Sequence, residues 1–208
     1  IDSNKGWQVI LNQAAGTTPD GIVTGNYDAT FISATGGTTT TDGDFKVHSF
    51  TGDGNFVVSA VGNPAGSDKV DYLVVAGGGG GGADRAGGGG AGGFRTGQVT
   101  GGTGLPVTAT TFPISVGGGG AAGTYPNPTP GCAGSNSVFS SITSAGGGTG
   151  AASNVVGGNG GSGGGGGGGP PSAPGKAGGS GNTPPVSPPQ GNDGGTGSNA
   201  NAPTDTDT

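Results

Sequence analysis

Unbroken runs of glycine dominate the chain after Ala76. Residues 77–208 hold 46 of the 57 glycines, and the longest runs lie at 77–82 and 163–169. Glycine inside a helix or strand is destabilising, because it loses the most conformational freedom on folding and offers no side chain for packing. From 117 to 208 only seven Val, Ile, Leu, Phe, Tyr or Trp residues occur, so a conventional apolar core is excluded there.

Two interpretations fit such a region. One is disorder, which a polar and low-complexity composition favours. The other is a bundle of polyglycine II-type helices, whose outward-pointing amides bond neighbouring segments when no side chain keeps the backbones apart. A strict Gly-X-Y period is missing, so a collagen triple helix is not expected. Because ordering so much glycine is costly, the bundle would need a β unit or partner chains as a scaffold.

The residues before Ala76 favour strands. Residues 44–50 and 55–61 carry strand patterns, and the turn residues 51–54 between them predict a hairpin. The apolar run 72–76 predicts a strand covered on both faces. Weaker strand candidates lie at 7–11 and 27–32.

The predicted fold class is therefore mainly β plus irregular structure. A small antiparallel β unit is followed by a glycine-rich region packed as polyglycine II-type helices, with almost no α-helix. The predicted organisation is an N-terminal connecting segment at 1–35, a β unit with the first glycine runs at 36–116, and a glycine/proline-rich bundle and tail at 117–208.

Few residues here have the partners that chemistry requires. His48 is the only histidine and Cys132 the only cysteine, so neither a catalytic set nor a zinc site is expected. The acids Asp42, Asp44 and Asp53 could ligate Ca²⁺, but turn formation is the commoner role of such residues. We expect no enzyme activity, no metal and no cofactor.

The charge and hydropathy patterns argue against nucleic acid and membranes as partners. The net charge is −6, and the six basic residues form no stripe that could neutralise phosphates, so nucleic-acid binding is not expected. No apolar run approaches the roughly 20 residues that span a bilayer, so membrane insertion is not expected either.

Short inserts with larger side chains separate the glycine runs. Aromatic, Arg and Asn side chains are typical of recognition surfaces, because rigid rings bury area at low entropic cost. For Phe94 and Tyr125, packing on the edge of the bundle is an equally good interpretation. The candidates for contact with a binding partner are Asp84, Arg85, Phe94, Arg95, Tyr125 and Asn127.

A series of short motifs recurs between the glycine runs. They are GDFKVHSF at 43–50, GNFVV at 54–58, VDYLVVA at 70–76, GAGGFRTG at 90–97, PISVGGGG at 113–120 and SVFSSI at 137–142. Over residues 36–169 this pattern resembles the glycine-rich module of tailed-phage tail-fibre and adhesin proteins. The polar, Pro-rich stretch 184–208 departs from it, because such modules often close with a short apolar strand.

The resemblance implies a structural tail-fibre or tail-tip module, located in the virion or outside the cell. Its glycine runs would pack as a polyglycine II bundle, and the loops at one end would contact the host surface. The implied partners are other virion tail proteins and a host surface glycan or outer-membrane protein, and the implied state is a homo-oligomer.

Two alternatives stay open at the level of sequence. The chain could be a subunit of an extracellular structural filament or matrix, or a disordered glycine-rich linker on a small β domain. Open-ended stacking would favour the first alternative, and fast amide exchange throughout 117–208 would favour the second.

Overall fold

The computed structural model describes residues 29–63, 66–171 and 173–199. Within these ranges the chain forms β-strands and no α-helix, which confirms the predicted fold class. The candidate strand at 7–11 lies outside the described residues. The strands are β1 (Ser33–Thr35), β2 (Thr38–Asp42), β3 (Phe45–Ser49), β4 (Gly54–Ala60), β5 (Lys69–Val70), β6 (Tyr72–Val75), β7 (Phe94–Gly97), β8 (Leu105–Pro106), β9 (Thr111–Ser115), β10 (Ser137–Phe139) and β11 (Ile142–Ser144).

The largest sheet has five antiparallel strands in the order β1-β4-β9-β10-β11. Three two-stranded ribbons accompany it: β2 with β3, β5 with β8, and β6 with β7. The predicted boundary between 116 and 117 falls directly after β9, and the sheet continues beyond it with β10 and β11.

The apolar core lies under this sheet and is small. Phe56 and Val58 point to the same side of β4, because side chains two residues apart share a face of a strand. They are 6% and 2% exposed, and Ala34 and Val107 complete the buried cluster. The Phe56 and Phe139 rings meet edge to face, with centroids 5.9 Å apart.

The hairpin predicted from 44–50 and 55–61 is wrong. β3 pairs with β2, so that Asp42 faces Phe45 across the two-residue turn Gly43-Asp44. Gly43 has a φ of 55°, which suits a tight hairpin turn. β4 instead pairs with β1 and β9. The threonine-rich β2 has no apolar alternation, so its pattern did not reveal it as the partner of β3.

The expectation that 72–76 is covered on both faces is also wrong within this chain. β6 pairs with β7, and Val74 faces inward at 8% exposure. Leu73 and Val75 lie on the outer face and are 62% and 49% exposed.

The glycine runs form extended segments that bond one another through the backbone. Eight of these segments, numbered here first to eighth, occupy 76–83, 86–93, 117–123, 131–136, 145–152, 160–169, 174–181 and 190–199. A further short segment at 155–159 returns from the turn 153–154 to the start of the sixth and bonds the fifth, sixth and seventh. Between the first and second segments, donors and acceptors both recur every three residues: Ala76, Gly79 and Gly82 donate to the carbonyls of Gly93, Gly90 and Gly87 at 2.8 to 3.1 Å. A repeat of three is the period of polyglycine II geometry, so the predicted packing is confirmed.

Each interior segment bonds several neighbours. The fifth segment exchanges hydrogen bonds with the first, second, fourth and sixth segments. The sixth bonds the second, fifth, seventh and eighth. The backbone groups are thereby satisfied without an apolar interior, and Ala151 at the centre is fully buried.

Lack of a side chain, rather than an unusual backbone angle, explains the glycines of these segments. Among the described glycines, only Gly36, Gly37, Gly43 and Gly102 adopt the left-handed φ range, and all four lie outside the bundle. A Cβ atom on Gly80 would overlap the carbonyl oxygen of Ala121.

The bundle has two distinct ends. The first segment begins directly after β6 and the second ends directly before β7, so this end adjoins the strands and is called the sheet end. The opposite end is called the loop end. It carries the turn 84–85, the loop 124–130, the turn 153–154, the connection that begins at Pro170, and residues 198–199.

Candidate functional site

The loop end gathers four of the six candidate contact residues. Asp84 and Arg85 form the turn between the first and second segments, and Tyr125 and Asn127 lie in the loop between the third and fourth. The amide of Ala83 donates to the carbonyl of Thr129 at 3.1 Å, which ties the loop to the base of the turn.

The turn 84–85 has unusual backbone angles for its residues. Asp84 has a φ of 59° and Arg85 a φ of 42°. Turns of type I′ require positive φ at both central positions and favour Asn-Gly for that reason. Both side chains are exposed, and the Arg85 carbonyl accepts a hydrogen bond from the amide of Gly168 at 2.7 Å.

The loop 124–130 presents an aromatic ring to solvent. Tyr125 is 79% exposed, and Asn127 is exposed beside it. The loop closes on itself where the amide of Thr124 donates to Oγ1 of Thr129 at 3.0 Å. Prolines alternate with the other residues from 126 to 130, and fixed φ angles limit the conformations that such a loop can adopt.

Phe94 and Arg95 lie at the other end of the molecule. They belong to β7, where Phe94 pairs with Val75 and Arg95 with Val74 of β6. Phe94 is 54% exposed on the outer face of the ribbon. The half-buried Arg95 donates from Nη1 to the carbonyl of Thr143 at 3.4 Å. The structure therefore does not bring these two residues together with the loop-end candidates.

The loop end also contains residues that the sequence patterns did not single out. Val155 and Val156 are 40% and 56% exposed beyond the turn 153–154, in a region with few other apolar side chains. Ser198 and Asn199 end the eighth segment and line a groove beside Arg85. The isolated valine pair was a visible signal, whereas the groove depends on segments that are distant in sequence.

The single histidine has a structural environment. Nδ1 of His48 lies 2.8 Å from the carbonyl oxygen of Gly36, and it must be the donor because a carbonyl only accepts. The ring meets Phe56 edge to face at 5.2 Å.

The three candidate calcium ligands have different structural roles. Asp42 ends β2 and Asp44 lies in the following turn, whereas Oδ1 of Asp53 accepts from the amide of Val116 at 2.8 Å. Among the described residues, no group of three or more His, Cys, Asp or Glu side chains is placed to hold a metal ion. Cys132 is exposed and forms no disulfide.

A family model described as a glycine-rich domain matches residues 49–208. The chain belongs to this family of glycine-rich domains. The matched span includes β4 and all eight glycine segments. The description states a composition and names no activity, so the resemblance to tail-fibre modules stays a prediction. Neither the comparison with curated proteins nor that with solved structures gave a match.

No helix able to cross a bilayer was found in the described ranges of this glycine-rich domain.

Proposed function

We propose that this glycine-rich domain is a non-enzymatic structural module of a phage tail fibre or tail tip, which displays loops for attachment to a host surface. The observation that supports this most is the position of its loops. The turn 84–85, the loop 124–130 and the turn 153–154 all lie at the end of the bundle remote from the strands. A surface of this kind can meet a partner without involving the sheet.

The construction of the bundle also suits attachment. A loop fixed at both ends by hydrogen-bonded segments loses little freedom on binding, and preorganisation of this kind improves affinity. Tyr125 and Asn127 offer a ring and an amide on such a loop. The receptor in this proposal is a host surface glycan or outer-membrane protein.

The sheet end is the proposed connection to the rest of the particle. The outer face of the β6–β7 ribbon exposes Leu73, Val75 and Phe94, and large exposed apolar groups commonly mark protein contacts. In the proposal other virion tail proteins or further copies of this chain lie there, and the module acts in the virion or outside the cell.

The proposal is tested by adsorption of the fluorescently labelled protein to a panel of bacterial isolates. We expect saturable binding to a subset of isolates, reduced at least about tenfold by Tyr125→Ala, because truncation of an aromatic hot spot costs about 2 kcal/mol or more. Phe45→Ala removes an exposed ring of β3, outside both proposed contact surfaces, and serves as the matched control, with adsorption unchanged. Absence of adsorption to every isolate, or equal adsorption by the parent and the Tyr125 variant, would contradict the proposal.

A second candidate is a subunit of an extracellular filament or matrix, favoured by the exposed outer face of β6–β7. In this case, sedimentation velocity would show assemblies whose mass increases without limit as the protein concentration rises. A single species of fixed mass across concentrations would exclude it.

A further inference from the structure

The first segment of the bundle has an uncovered outer side. It bonds the second and third segments at its two flanks, and the amides of Gly77 and Gly80 donate to the fourth segment on its inner side. The amides of Gly147 and Gly150 of the fifth segment donate to it from the same side. The second, first and third segments therefore lie side by side, in that order, and are called here the outer layer.

The outer layer consists of glycine and alanine alone. Its three segments carry no larger side chain and no charge. The eighth segment, which also meets solvent, instead exposes Asn192, Asp193 and Thr196. Polar and charged residues make up most of a surface that faces water, so the composition of the outer layer is not that of a solvated surface.

The packing of the single chain does not explain several glycines of this layer. Most glycines of the eight segments leave no room for a Cβ atom. The six that leave ordinary van der Waals room are Gly78, Gly81, Gly88, Gly118, Gly119 and Gly195. Only the last lies outside the outer layer, and none of the six has a positive φ. Glycine at a position that other residues could occupy without strain is explained by the close approach of another molecule to the backbone.

The first segment also carries unpaired backbone groups. The amides of Gly78 and Gly81 and the carbonyls of Gly79 and Gly82 have no hydrogen-bond partner among the described residues. The members of each pair are three residues apart, which is one repeat of about 9 Å. A row of unpaired N–H and C=O groups is a template for another chain, as at the edge of a β-sheet. The partner that fits this row is a segment with the same repeat.

An apolar patch continues the outer layer toward the sheet end. β6 runs into the first segment and β7 follows the second. The patch consists of Leu73, Val75 and Phe94, which lie on the outer face of this ribbon and are all about half exposed or more. Exposed apolar side chains grouped in this way commonly mark protein contacts.

We infer that the outer layer and the apolar patch together bind a second copy of this chain. A two-fold dimer brings the same surface of each copy together, so that surface must be complementary to itself. The outer layer has both donors and acceptors, and its lack of charge avoids repulsion between two chains of net charge −6. The inference deepens the proposed function and rests on it in one respect, because it names one occupant of the β6–β7 face that the proposal treats as a contact surface.

The size of this surface predicts a weak dimer. Three segments about 4.8 Å apart, as hydrogen-bonded strands are, give a width of about 14 Å. Residues 73–83 at about 3.1 Å each give a length of about 34 Å. The contact is thus roughly 500 Å² per copy, at the lower limit for a specific interface. The dimer should therefore form at high protein concentration, whereas dilute protein in a denaturation experiment is monomeric.

The test is sedimentation velocity of the full chain over a wide range of protein concentrations. We expect the mass to rise from the monomer value of 19.0 kDa to twice that value and then to stay constant, because a two-fold contact closes on itself. A monomer at every concentration, or growth beyond the dimer, would overturn the inference.

Amide hydrogen exchange locates the contact. The amides of Gly78 and Gly81 should exchange at least about tenfold more slowly in concentrated than in dilute protein, because the second copy bonds them. The amide of Gly195, which has no recorded partner in the described chain, should not change. Dimers that form without added protection at Gly78 and Gly81 would also count against the inference.

Substitutions sharpen the test. Gly78→Glu places a charge in the middle of the outer layer, where the nearest atom to a Cβ is 3.6 Å away, so the monomer should fold. The Kd of the dimer should rise at least about tenfold, because the two-fold contact brings like charges together. Gly195→Glu makes the same change on the eighth segment and should leave the Kd unchanged. Equal dimerisation by the two variants would overturn the inference.

A second pair of variants tests the apolar patch without altering the bundle. Leu73→Asn removes an apolar side chain that is 62% exposed, so it should weaken the dimer while the monomer stays folded. Phe45→Asn removes an exposed ring of β3 outside this surface and is the matched control. An unchanged Kd for Leu73→Asn would remove the patch from the contact and overturn the inference as stated.

The two proposals fail in different ways. Adsorption to bacterial cells by a chain that is monomeric at every concentration would leave the attachment function standing and remove the second copy. A dimer that adsorbs to no cell would do the reverse.

Discussion

At the scale of single residues, the glycines of the bundle fall into two groups. For most of them a Cβ atom would overlap the backbone of a neighbouring segment, as at Gly80 and Gly117. At Gly88, Gly118 and Gly195 the same atom would meet nothing within 4 Å. The difference depends on which side of a threefold segment faces a neighbouring segment. The sequence cannot show it, because every position in such a run is the same residue.

Gly117 and Gly118 offer an adjacent pair for comparison. Gly117→Ala would overlap the carbonyl oxygen of Ser135, so we expect a loss of about 1–3 kcal/mol in the free energy of unfolding. Gly118→Ala has open space and a compatible φ, so it should be neutral or stabilise by up to about 1 kcal/mol. Urea denaturation measures both. Equal losses for the two variants would show that neighbouring segments do not pack as described.

At the scale of elements, the connection between the seventh and eighth segments depends on a few polar side chains. Gln190 is 3% exposed. Its Oε1 accepts from the amide of Ala145 at 2.8 Å, and its Nε2 donates to the carbonyl of Pro184 at 2.9 Å. Oδ1 of Asn182 accepts from the amide of Val186. These bonds fix the loop 182–189 against the sheet end.

Gln190→Leu should therefore be costly despite its similar volume. It leaves the buried Ala145 amide without a partner, and a buried unpaired group costs about 1–3 kcal/mol. The carbonyl of the exposed Pro184 can bond water instead. Gln98→Leu is the control, because Gln98 is exposed and bonds the hydroxyl of Thr103 through its backbone. Chemical denaturation should show a loss for the first variant and a change within about 0.5 kcal/mol for the second. A similar result for both would mean that the Gln190 bonds do not stabilise the fold.

Sequence patterns predicted some elements and missed others, for physical reasons. Apolar β-branched runs predicted β4 and β6, because burial requires such residues wherever a strand meets the core. The partners of those strands are set by contacts between distant residues, which short-range patterns do not encode. Phe139 and Ile114 stand in short apolar stretches among glycines, yet they join β10 to β9 in the main sheet. β2 was not predicted, because four of its five residues are threonine and the strand has no apolar alternation.

The candidate site was predictable only in part. Asp84, Arg85, Tyr125 and Asn127 were visible as inserts between glycine runs, and chain reversal at such inserts places them at an end of the bundle. Phe94 and Arg95 had the same appearance in sequence, but pairing with β6 places them in a ribbon. Ser198 and Asn199 reach the groove only because the eighth segment runs parallel to the sixth.

At the scale of the whole molecule, stability should decline from the centre of the bundle toward the loops. The fifth segment is enclosed by neighbours, and Gly147, Gly148 and Gly150 all donate backbone hydrogen bonds within the bundle. Exchange of such amides requires opening of several segments at once, whereas exposed loop amides exchange without it.

Amide hydrogen exchange measures this gradient. We expect Gly147 and Gly150 to exchange most slowly, on the scale of global unfolding, and Tyr125 and Asn127 to exchange near random-coil rates. The β2–β3 ribbon, which has few contacts beyond its own strands, should be intermediate, since an isolated hairpin is marginally stable in water. Random-coil exchange across all glycine segments would refute the packed bundle.

The hydrogen bonds of the bundle join backbone to backbone at a repeat of three, and this has a consequence for how such proteins diversify. A loop can be replaced by recombination between related genes without any repacking, because the interior recognises only the absence of side chains. Lengthening is similarly simple: three extra glycines in each segment would add one repeat of about 9 Å. The scaffold can thus be inherited nearly unchanged while its tips evolve rapidly.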